Sequence, residues 1–125
     1  MNLDGLRDVF HDQLKDMYSA EKQLTEALPT LAQAASSQPL RQAFEHHLEV
    51  THQQLEMVGR ILSQMGINPG NKVCKAMQGL VEEGSEMASK GGDKDARDAG
   101  LVAAAQKVAH YEIASYGTLR AWAQI

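Results

Sequence analysis

The densest run of chemistry-bearing side chains is Phe44-Glu45-His46-His47-Leu48-Glu49-Val50-Thr51-His52-Gln53-Gln54-Leu55-Glu56. Glu49 and His52 stand three apart in it, a Glu-x-x-His spacing. On an α-helix that spacing puts a carboxylate and an imidazole on one face, one turn apart, so both reach the same point in space. A bound metal ion is the chemistry this suggests, because helical bundles build di-metal centres from such units. A helix rich in Glu and His also produces the spacing by chance, as a solvated face, so the elements around it must arbitrate.

Those elements read as helices. Apolar residues recur at steps of three and four from about Leu3 to Ala35: Leu3, Leu6, Phe10, Leu14, Met17, then Leu24, Leu28, Leu31 and Ala35. That is the stripe of an amphipathic helix. Glu21 fills the gap between Met17 and Leu24 at the correct step. A carboxylate inside a core stripe is costly unless it is paired, protonated or bound to a cation. A salt bridge to a partner, such as a histidine, is the alternative to a metal. Pro29 removes one backbone hydrogen bond and should kink or split this helix near Glu26.

Ser36-Ser37-Gln38-Pro39 has helix-start chemistry, with Ser37 or Gln38 as the cap. A second helix should then run to about Met65 and end at Gly66. Its stripe is Leu40, Phe44, Leu48, Thr51, Leu55, Val58, Leu62 and Met65. Glu49 and His52 sit on one flank of it, while Glu45, Glu56, His46 and His47 are expected at the surface or boundary. A shorter third helix is expected from about Val73 to Ser89. Glu83 lies at its edge, and Cys74 in its first turn is either a buried inert thiol or one whose pKa the helix dipole lowers. A fourth helix should start near Asp95 and run to the end, with the stripe Val102, Ala105, Ala109, Glu112, Tyr116, Leu119 and Ala123. Glu112 again places a carboxylate at a core step. Tyr111 and Tyr116 have hydroxyls that need partners if buried, and these carboxylates could supply them.

The chain of 125 residues therefore reads as one all-α domain, 1–125, with a real core. A net charge of −4 without a basic block argues against a nucleic-acid partner. No apolar run approaches the roughly 18 residues of a membrane span, and the N-terminus lacks the apolar core of a signal peptide. The single cysteine cannot form an internal disulfide. Together these point to a cytoplasmic protein.

Three motifs carry a resemblance. Tyr18-Ser19-Ala20-Glu21-Lys22-Gln23-Leu24, His47-Leu48-Glu49-Val50-Thr51-His52, and the long Gln106-Lys107-Val108-Ala109-His110-Tyr111-Glu112-Ile113-Ala114-Ser115-Tyr116-Gly117-Thr118-Leu119 are similar to the YciF-like bacterial stress proteins of the ferritin-like, rubrerythrin-related superfamily. The resemblance covers essentially the whole chain. It implies a ferritin-like helical bundle that dimerises. Helices 1 and 2 would form an antiparallel hairpin, helix 3 a short crossover, and helix 4 the start of a second hairpin. The family continues with a further long helix, so the final bundle helix is expected to be absent from this chain, or its wall to be supplied by a second subunit.

The resemblance also implies a metal set of Glu21, Glu49, His52 and Glu112, with iron or manganese as the cofactor and Tyr116 beside it. The first glutamate of the family's Glu-His-Tyr-Glu is Ala109 here. A dinuclear carboxylate centre needs about four carboxylates and two histidines; this set supplies fewer and fits one ion, or a centre shared across a homodimer. Two functions follow. One is a stress-response ferritin-like protein with redox or iron-handling activity. The other is a metal-free helical dimer acting as a structural or interaction protein. No catalytic residue and no small-molecule substrate can be named, and whether the chain is an enzyme stays open.

Overall fold

The computed structural model describes residues 2–125. They form four helices: α1 (Leu6–Ala34), α2 (Gln38–Gln64), α3 (Lys75–Ala88) and α4 (Lys94–Ala123). The all-α architecture agrees with the sequence periodicity. α1 is central and packs against each of the other three helices, and α3 also packs against α4. α2 and α4 are not closely packed on one another among the described residues. This opening between α2 and α4 is what exposes the functional site.

Local chemistry sets the boundaries. The Ser37 hydroxyl caps α2 by accepting from the Leu40 amide at 3.3 Å, with Pro39 in the first turn, where its missing N–H costs little. At the other end Gly66 takes a left-handed φ of 68°, and the Ile67 amide reaches back to the Leu62 carbonyl at 2.8 Å. Only glycine enters that conformation cheaply, so it closes the helix. Asp93 caps α4 through the Ala96 amide at 2.8 Å.

The core is built on the α1 stripe. Leu14, Met17, Leu24 and Leu28 meet Phe44, Val58 and Leu62 of α2, Met77 of α3 and Leu101 of α4 in one cluster. Each such side chain contributes on the order of 1.5–3 kcal/mol by leaving water. Gly84 is buried where α3 crosses α1, and a Cβ there would sit 3.4 Å from Leu31 Cδ2, which is what lets the helices approach.

Three expectations are corrected. Leu3 and Leu6 are 59% and 40% exposed, and α1 begins at Leu6, so the stripe's first turn carries no core. Pro29 does not split α1, which continues through it to Ala34. Pro29 is exposed, and water can serve the Thr25 carbonyl that it leaves free. The first half of the α4 stripe lies one residue away from its expected phase. Val102 is exposed, whereas Asp98, Leu101, Ala104 and Val108 are buried.

Candidate functional site: a buried carboxyl pair under an apolar groove

Glu21 of α1 is fully buried and Glu112 of α4 is 8% exposed. The two carboxyls lie within hydrogen-bonding reach of each other. Burial is the main cause that pushes Glu21 up from its ordinary 4.5 to about 9, and the proximity of Glu112 adds to it. At neutral pH Glu21 is therefore the protonated member of the pair. Glu21 Oε1 and the buried Tyr116 hydroxyl each lack a hydrogen-bond partner, although the two side chains are neighbours. Burial and the two carboxyls drive the Tyr116 phenol upward, so it stays neutral.

Two α2 side chains close the site. His47 Nε2 meets Glu112 Oε1 at 2.9 Å. Gln54 takes the amide orientation that satisfies its surroundings: its nitrogen donates to Glu21 Oε2 at 2.6 Å and to Glu112 Oε2 at 3.1 Å. Thr51, also buried, turns its hydroxyl back to the His47 carbonyl at 2.7 Å and so adds no donor to the centre.

The structure thus brings together two of the four residues singled out as metal ligands, Glu21 and Glu112. It does not bring Glu49 or His52 to them; both are exposed on the outer flank of α2. Position 109 contributes only an alanine methyl to the groove wall. Among the described residues no group of three or more His, Cys, Asp or Glu side chains is arranged to hold a metal ion. The side chain that bridges the carboxyls is an amide presenting N–H donors, and N–H donors repel a cation. The set Glu21, Glu49, His52 and Glu112 does not fit iron or manganese as placed here. Glu83 is exposed and pairs with Lys107 at 3.4 Å.

The other expected polar contacts sort differently. Tyr111 donates to Asp16 Oδ2 at 3.2 Å and meets Cys74 Sγ at 3.0 Å, so it serves neither Glu21 nor Glu112. Cys74 is the cap of α3 and is buried, and its thiol accepts from the Met77 amide at 3.4 Å. Burial is the main cause that pushes the thiol up, which is the character of an unreactive cysteine. A third buried carboxylate carried no signal in the sequence. Asp98 of α4 accepts from the Ser36 and Ser37 amides, each at 2.8 Å, and so finishes the turn between α1 and α2.

Above the carboxyl pair runs a groove of about 750 Å³ between α2 and α4. Leu14, Val58, Ile61, Ile113 and Leu119 line it, with Gln54, Glu112, Tyr116 and Arg120 as its polar residues. Its rim carries large exposed hydrophobics: Met57 and Met65 at 39% each and Ile113 at 68%. A second apolar hollow, between Phe10, Met65, Trp122 and Ala123, continues it toward the end of α4.

Comparison with known proteins gives this arrangement a family. A family model described as a domain of unknown function, DUF892, matches residues 5–125. The chain is 50% identical to Protein YciF of Escherichia coli strain K12 over 125 residues, which is 99% of this chain and 75% of that protein. The crystal structure of the E. coli stress protein YciF matches at a TM-score of 0.92 and 48% identity, covering 98% of this chain and 77% of that one. YcfI of Rhodopseudomonas palustris matches at 0.92 and 41% identity, covering 98% and 78%.

Proposed function

We propose the following function on the premise that the chain belongs to the DUF892 family, the family of the E. coli stress protein YciF. It is a helical stress-response protein that works by association, pairing with a second copy as a homodimer through the α2–α4 groove. The observation that carries this is the groove itself, with Met57, Met65 and Ile113 left exposed along it. Contiguous apolar surface of this kind marks an interaction site, and closed two-fold pairing is the commonest way to bury it. The description of YcfI as a proposed structural protein supports the same reading. Among the described residues no helix is long and apolar enough to cross a membrane.

Sedimentation equilibrium tests the proposal. The chain should be dimeric at micromolar concentration, and Ile113→Glu should shift it to monomer while the helical content stays unchanged. A monomeric parent chain at that concentration overturns it.

A second reading keeps the metal. The unpartnered Oε1 of buried Glu21 favours it, since a cation would satisfy that atom. In this reading Glu21 and Glu112 bind iron or manganese, and Glu49 and His52 complete the set only if α2 turns its outer flank inward. Elemental analysis after anaerobic incubation with ferrous iron, and separately with manganese, tests it. Near-stoichiometric, chelator-sensitive metal would establish this reading over the first, and metal at background level rejects it.

A further inference from the structure

We propose that Gln54 is the residue that sets the character of the buried centre: its amide occupies the position between Glu21 and Glu112 where a bridging cation would sit, and it keeps the pair metal-free. Gln54 is one of the residues lining the groove, and its amide nitrogen reaches Glu21 Oε2 at 2.6 Å and Glu112 Oε2 at 3.1 Å. A primary amide has two N–H donors, one for each carboxyl. It therefore does for two acceptor groups what a cation would do, but without charge.

A divalent ion entering this space must displace both hydrogen bonds. It then finds a poor donor set. His47 Nε2 is already engaged with Glu112 Oε1 at 2.9 Å. Position 109 offers no donor. The amide can contribute its oxygen only by turning over, which strips a hydrogen bond from each carboxyl. A buried ion held by so few charged oxygens is not repaid for its lost hydration.

Gln54→Glu is close to isosteric and replaces the repelling N–H group with a third carboxylate in the bridging position. Three carboxylates are an oxygen donor set suited to manganese. One substitution should therefore turn a hydrogen-bonded acid pair into a cation site. The inference goes beyond the association proposed above, and oligomeric state does not enter its readout, so each can fail without the other.

The experiment titrates chelator-stripped protein with manganese(II) alone and reads free manganese by electron paramagnetic resonance. The parent chain should show no stoichiometric uptake. Gln54→Glu should take up one ion per chain at least about tenfold more tightly, and adding Glu21→Gln should abolish this. Circular dichroism follows folding in parallel. If Gln54→Glu does not fold without metal, it is refolded with manganese(II) and desalted, and one retained ion per chain that is lost with Glu21→Gln is the expected result. Stoichiometric uptake by the parent chain that depends on Glu21 overturns the proposal, as it would mean that the amide turns over and ligates. Folded variants that gain no manganese overturn it equally.

Discussion

His47 Nε2 and Glu112 Oε1 meet at 2.9 Å across the opening between α2 and α4, two helices that otherwise are not closely packed. With the Gln54 amide, this contact is what joins the two walls of the groove above the carboxyl pair. A polar bridge there lets the walls stand apart and still hold a fixed separation.

Removing that bridge should be measurable. His47→Ala leaves a largely buried carboxylate short of a partner, and a hydrogen bond to a charged group is worth about 1.5–3 kcal/mol. Urea unfolding should show a loss in that range. His52→Ala, on the exposed flank, should stay within about 0.5 kcal/mol of the parent. Equal losses for the two would overturn the assignment of His47 to the inner flank of α2 and His52 to the outer, and a larger loss at His52 would reverse it.

The carboxyl pair makes stability depend on pH in an unusual direction. Glu21 titrates at its ordinary 4.5 when unfolded and at about 9 when folded. Between those values the folded chain holds a proton that the unfolded chain has released. This group's penalty is absent below about 4.5, grows as pH rises, and is complete above about 9. The slope approaches about 1.4 kcal/mol per pH unit at most. Urea midpoints from pH 6 to 8.5, with chelator present, should fall for the parent chain and flatten for Glu21→Gln. An unchanged slope in the variant would rule out a protonated Glu21.

Cys74 should behave as a cap rather than as a reagent. Its thiol is buried and pushed up, so alkylation should be slow in the native state and accelerate with denaturant. Cys74→Ser keeps an acceptor for the Met77 amide and should be near neutral, whereas Cys74→Val loses the cap at about 1 kcal/mol. Thermal melts of the two variants separate a capping role from simple filling of space.

Asp98→Ala should cost about 2–3 kcal/mol, because it strands two backbone amides at the start of α2. Asp98→Asn keeps one accepting oxygen and should fall between the parent and the alanine variant. Denaturant titration of the three proteins measures the order.

Much of this was readable in the residues. Leucine spacing located α1 and α2, and the same spacing marked Glu21 and Glu112 as carboxylates at core steps, which is where they are. The flank of α2 was not readable. Its stripe at Phe44, Leu48, Thr51, Leu55 and Val58 has two edges, and periodicity weights them equally. Glu49 and His52 lie on one edge, His47 and Gln54 on the other, and only the position of α4 decides which edge faces inward. The Glu-x-x-His spacing drew attention to the outer one. A glutamine carries no metal signal, so nothing in the pattern marked Gln54. The phase of α4 was obscure because Leu101–Ala105 is small and apolar all round, which leaves the periodicity without a polar face to set it. Asp98 looked like one more acid near a helix start, since its partners lie 61 and 62 positions away.

That last contact bears on how the molecule comes apart. The turn of the first hairpin is finished by a residue from the fourth helix, so the hairpin is not a self-sufficient unit. When α4 detaches, the Ser36 and Ser37 amides lose their acceptors together. These two amides sit in a short connection, where rapid local opening is the rule. Here their hydrogen exchange is tied to the release of α4, so a loop that should flicker freely instead reports the cooperativity of the whole chain.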